Sequence, residues 1–168
     1  MVRSEETTMT ERDGGPSTCR CCDEQAVAKV LYTYAERIDD GDFQGLGDLF
    51  ADAIITFEES PDRVVRGRDE ARHMYEQFTR RYPDNGTPHT RHMITNVIVD
   101  VADDGQQATS RSSFTVMQRT DSFPLQPVIV GRYRDELAKS DGNWHFTSRH
   151  MLSDHVGDLS QHMLVDPF

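Results

Sequence analysis

Hydrophobic positions along the chain recur first at helical and then at strand spacing. Ala26, Val27, Val30, Leu31, Tyr34, Ala35 and Ile38 share one face at a 3.6-residue period. This predicts a first helix with Asp23 as its N-cap and Glu24 and Gln25 in its first turn. Asp39-Asp40-Gly41 stops it, because glycine readily takes the left-handed backbone that ends helices. A short second helix over 42–50 turns Phe43, Leu46, Leu49 and Phe50 inward. Two short strands over 53–59 and 64–66 flank the turn at Pro61-Asp62. A third helix over 68–82 carries Ala71, Met74, Tyr75 and Phe78 on one face, and Pro83-Asp84-Asn85-Gly86 ends it. Four longer strands follow over 90–101, 107–118, 128–138 and 144–152. Asp103-Asp104-Gly105, a loop around Pro124 and Pro127, and Ser140-Asp141-Gly142-Asn143 separate them.

Helices followed by strands with short links define an α+β plan with an antiparallel meander. The folded body is one domain over 23–155, between a polar, disordered tail over 1–22 and a C-terminal extension over 156–168. Strict alternation on the first long strand puts Met93, Val97, Val99 and Val101 on one face. Ile94 and Ile98 share the other with His92 and Asn96. A strand apolar on both faces is covered on both, by the helices on one side and by a partner subunit on the other. A homodimer or homotrimer is expected.

The composition narrows the function. Acidic residues outnumber basic ones 29 to 18, for a net charge of −11, and no basic run exceeds Arg80-Arg81. Nucleic acid and anionic membrane are therefore not expected partners. No stretch approaches a membrane span, and the polar start lacks the apolar core of a secretory leader, so a cytoplasmic protein is expected. In that setting Asn85-Gly86-Thr87 reads as a turn rather than a glycosylation acceptor. Cys19, Cys21 and Cys22 are too few and too close for a disulfide framework and read as thiols of the tail.

Candidate chemistry begins with His92, a titratable group on an otherwise apolar strand. It is either a hydrogen-bonded structural imidazole or a general base. Tyr34 lies mid-stripe on the first helix, and Asp39 lies on the stripe's shoulder, about 40° from Ala35. Tyr34 and Asp39 stand about 140° apart, so they serve one site only if the sheet places a group between them. Arg132 and Arg134 share a strand face and suit either carboxylate binding or surface ion pairing. Alternation puts His145 and His150 on opposite faces. His150 with His92 and Asp39 could hold a metal, although solvated or pocket-rim histidines are the simpler reading, as for His155 and His162. Asn96, Arg132, His150 and Phe114 are the candidate substrate contacts. No Gly-rich phosphate loop points to a nucleotide, and no cofactor is implied.

The runs YAERIDDGDFQGLGDLFADAIITF, VVRGRDEARHMYEQF, TRHMITNVIVDV and VGRYRDELAKSDGNWHFTSRHM together resemble the SnoaL-like branch of the nuclear transport factor 2-like superfamily. The resemblance spans about residues 23–152 and implies a cone-like α+β barrel enclosing a pocket. The family includes dehydratases, a dehydrochlorinase, isomerases, polyketide cyclases and the non-catalytic small subunits of ring-hydroxylating dioxygenases. In its lyases an Asp at the end of the first helix pairs with a His on the first long strand. Asp39 and His92 match those positions. Tyr34 stands where the dehydrochlorinase has Lys, which argues against dehydrochlorination and is similar to bile-acid 7α-dehydratases. The resemblance implies a cofactor-independent lyase or isomerase acting on a small hydrophobic carbonyl compound, polycyclic or steroid-like. The alternative it leaves open is a dioxygenase small subunit or a hydrophobic-ligand binder.

Overall fold

The computed structural model describes residues 19–165. Helices α1 (Arg20–Asp39), α2 (Phe43–Leu49) and α3 (Gly67–Phe78) pack on strands β1 (Ile54–Phe57), β2 (Val64–Arg66), β3 (Thr90–Val101), β4 (Gln107–Thr120), β5 (Phe123–Ser140) and β6 (Asn143–Val156). The sheet order is β2-β1-β6-β5-β4-β3. Only β1 and β6 run parallel; all other neighbours are antiparallel. Helix α1 touches both β3 and β6, which are separated by two strands, so the sheet curves around it. The core lies between, built from Val27, Leu31, Ile38, Leu46, Phe50, Ile55, Val116 and Phe146. The α+β expectation therefore holds.

Five local expectations change. Helix α1 begins at Arg20 with Cys19 as its N-cap, and no side chain caps it. Asp23 is buried instead, its carboxylate accepting from Lys139 Nζ at 2.6 Å and Trp144 Nε1 at 3.0 Å. A buried carboxylate needs such donors, and these pin the start of α1 to the β5–β6 hairpin. The expected tail up to residue 18 lies outside the described residues.

Helix α3 stops at Phe78, four residues before 82. The backbone at its end is taken by the C-terminal segment: Leu164 N donates to Phe78 O, Arg80 N to His162 O, and Thr79 bridges Met163. The expected loop at Pro124 and Pro127 is strand. The β4–β5 turn falls at Asp121-Ser122, and each proline sits beside a register shift, where a missing N–H is tolerated.

Bulges decide which side chains face inward. The β3–β4 register slips by one between Thr95 and Ile98, with Asn96 in left-handed backbone at φ 53°. Thr90, His92 and Ile94 face the helices before the bulge, and Val97, Val99 and Val101 do so after it. Ile98 and Met93 are left on the outer face, so β3 is not apolar on both faces as strict alternation predicts. A similar slip between Glu136 and Leu137 flips β6. Trp144 and Phe146 are buried, then Arg149, which leaves His145 and His150 on the same outer face rather than on opposite ones.

Because Asp23 is the enclosed anchor of α1, Asp23→Ala removes the buried acceptor shared by Lys139 Nζ and Trp144 Nε1. It should lower unfolding stability by about 3–5 kcal/mol, read from urea denaturation.

Candidate active site

Asp39 is the last residue of α1, where the negative end of the helix dipole opposes a carboxylate. It is nevertheless buried, because the start of β3 supplies three donors. Thr90 Oγ1 donates to Oδ1 at 2.7 Å, the His92 backbone N–H to Oδ2 at 2.8 Å, and His92 Nδ1 meets Oδ1 at 2.7 Å. Burial pushes the Asp39 carboxyl up, but the hydrogen bond and charge of His92, with Thr90 beside it, outweigh this and hold it below its ordinary value. An ionised carboxylate only accepts, so Nδ1 carries the hydrogen. Neutral His92 then keeps its lone pair on Nε2, the nitrogen Asp39 leaves free.

His92 also supplies the group needed between Asp39 and Tyr34. Its ring meets the Tyr34 ring edge-on, with centroids 6.2 Å apart. The Tyr34 hydroxyl accepts from Tyr75 at 3.4 Å and lies 3.5 Å from the Tyr133 hydroxyl. Burial drives the Tyr75 and Tyr133 phenols well above their ordinary range, so both stay protonated donors. Beneath them Arg149 is fully buried, its Nε and Nη2 bonded to Asp135 at 2.7 and 3.0 Å. Its guanidinium carbon lies 4.3 Å from the Tyr34 ring centre and 4.1 Å from that of Tyr133. Burial opposes this charge, and the Asp135 carboxylate overcomes the penalty. Phe114 stacks on Tyr133 at 4.3 Å, over Gly131, where a Cβ would come within 2.7 Å of the Phe114 ring.

These groups line a partly open cavity of about 130 Å³, with His92, Tyr34, Tyr75, Tyr133, Phe114 and His162 among mostly apolar neighbours. The strand-borne histidine, the helix-end carboxylate and the curved sheet occur together in residues 20–150, which match the model of the SnoaL-like domain. The chain belongs to the SnoaL-like domain family.

Several solved structures share its fold. Rv3472 of Mycobacterium tuberculosis, of unknown function, is 25% identical with a TM-score of 0.67, over 84% of this chain and 78% of that one. A "putative scytalone dehydratase" of Novosphingobium aromaticivorans is 24% identical with a TM-score of 0.67, over 83% and 89%. The beta subunit of a "putative aromatic-ring-hydroxylating dioxygenase" from the same organism is 16% identical with a TM-score of 0.65, over 82% and 93%. No curated protein sequence matches the chain.

In this SnoaL-like protein His92, Tyr34 and Phe114 line the cavity, and Asp39 joins them behind it through His92. It does not gather Asn96, Arg132 or His150. Asn96 is exposed on the bulge, which carries it out of phase with His92. Arg132 forms a surface pair with Asp154, its Nε 2.8 Å from Oδ2. His150 lies on the outer face between Thr56 Oγ1, 2.8 Å from Nδ1, and Glu58 Oε2, 3.0 Å from Nε2. It therefore cannot share a metal with His92 and Asp39. Among the described residues, the converging group of three metal-ligand side chains is Cys19, Cys21 and Cys22, all exposed.

Sequence reasoning did not single out Tyr133, Tyr75, Arg149 or Asp135, and it placed His162 only among solvated or pocket-rim histidines. Tyr133 had a signal, an aromatic alternating with Arg132 and Arg134. Arg149 had none, because the β6 bulge reverses its phase.

His162 is 3% exposed. Burial, reinforced by the charge of nearby His92 and opposed by Asp39, lowers its pKa to about 4. An unfolded-chain histidine titrates near ~6.5. Between those values the unfolded chain binds a proton that the folded protein does not. Stability from this group is thus full above about pH 6.5 and falls by up to about 1.4 kcal/mol per unit down to pH 4. Asp39, shifted below its ordinary value, loses its own contribution only at still lower pH. Urea melts from pH 7 to 4 should show the first slope, and His162→Asn should flatten it.

Proposed function

We propose that this protein is a cofactor-independent lyase or isomerase in which His92 removes a proton beside a substrate carbonyl. The observation that carries this reading is the 2.7 Å contact between His92 Nδ1 and Asp39 inside a mostly apolar cavity. Asp39 fixes the tautomer and stabilises the imidazolium that forms. A structural histidine bonded only to backbone would suit a non-catalytic subunit; a carboxylate partner suits a base.

In the dehydratase form of the reaction, Nε2 takes the α-proton and the C–H electron pair becomes the double bond of an enolate. Negative charge gathers on the carbonyl oxygen. Tyr34 accepts from Tyr75, and with Tyr133 as the donor across their 3.5 Å contact the Tyr34 hydrogen is left to stabilise that oxygen. The enolate then expels hydroxide from the β-carbon, and the His92 imidazolium returns its proton to give water and the conjugated carbonyl. In an isomerase the same proton is returned to another carbon.

The cavity volume argues about size. A dry cavity of roughly 150 Å³ holds one benzene, and this one measures about 130 Å³. That favours a one-ring substrate over the polycyclic compound expected from sequence.

One-ring β-hydroxy ketones such as 3-hydroxycyclohexanone test the reading, with enone formation followed by ultraviolet absorbance. His92→Ala should lower kcat/KM by about 10²–10⁴-fold, and Tyr34→Phe by about 10²-fold. A His92→Ala protein that turns over an accepted substrate at the full rate removes the mechanism.

A further inference from the structure

The chain after β6 folds back across the cavity. Gly157 N donates to Val128 O at 2.9 Å, Tyr82 Oη to Gln161 O at 2.7 Å, and Gln118 Nε2 to the same oxygen at 3.0 Å. Arg80 N then donates to His162 O and Leu164 N to Phe78 O, each at 2.9 Å. These bonds hold the backbone on both sides of His162, and its ring joins the cavity lining. The ring is almost wholly buried, and its Nδ1 has no hydrogen-bond partner among the described residues. Buried polar atoms are nearly always paired, so an unpaired one needs an explanation.

We propose that His162 is a second ligand-contacting imidazole of this pocket, hydrogen-bonding an oxygen of the bound substrate, so that the C-terminal strap helps select the substrate. This rests on reading the cavity as the active site. The two imidazoles then divide the work. His92 is tied to a carboxylate that stabilises its charged form. His162 has no such partner and stays neutral, suited to holding an oxygen but not to keeping a proton. A shared metal does not fit, because among the described residues His162 converges with no two other metal-ligand side chains. The strap also lies beyond residues 20–150, which match the family, so this contact comes from outside the matched region.

Phenol and toluene test the proposal, being of one ring size and differing in an oxygen. Full-length protein with ¹⁵N-labelled histidines is titrated with each and followed by NMR. Phenol should bind about fivefold more tightly than toluene and shift the His162 ring nitrogens. His162→Leu should keep toluene binding, which certifies the fold, and lose the preference for phenol. His162→Asn should recover part of it. No phenol binding at millimolar concentration, unmoved His162 nitrogens at saturation, or an intact preference in His162→Leu overturns the proposal. Should His162→Leu not fold, the wild-type nitrogen shifts decide alone. Failure of the base mechanism would show separately, as unimpaired turnover by His92→Ala with the phenol preference unchanged.

Discussion

The Asp39 carboxylate joins the end of the first helix to the start of β3, and the pocket is organised around that junction. A carboxylate at a helix C-terminus is opposed by the dipole and, once buried, by desolvation. Three donors from Thr90 and His92 reverse both penalties. The same bonds that make the burial tolerable also orient the imidazole.

Around that junction the site is layered by polarity. A buried ion pair, Arg149 with Asp135, lies under the tyrosine rings. Three phenols meet above it at Tyr34, and apolar groups such as Phe114 close the walls. The guanidinium places positive charge near hydroxyls whose work would be to stabilise negative charge. The strap from the chain's end adds a second histidine to the lining, one without the carboxylate partner that His92 has.

Much of this was legible from local pattern. The three helices, the β3 boundaries and the helices-then-sheet order follow from periodicity and turn residues, because those signals act over a few neighbouring positions. The pairing of Asp39 with His92 was legible only through family resemblance. On the helical wheel Asp39 belongs to the shoulder of the stripe, and its donors come from a strand some fifty residues later. Asn96, Arg132 and His150 went astray for different reasons. A bulge displaced the first, a neighbouring aspartate occupied the second, and the outer sheet face took the third.

The sequence by itself determined which segments become helix and strand, the acidic surface, and the presence of an imidazole and a carboxylate at family-matching positions. Tertiary structure decided which of those groups meet. A bulge of one residue reverses every side chain that follows it, and neither the β3 nor the β6 slip is encoded by a residue that demands one. Only the folded chain could bring His162 against a cavity built from residues far earlier in the sequence, because that approach depends on backbone hydrogen bonds to Phe78, Arg80 and Val128, which lie far from it along the chain.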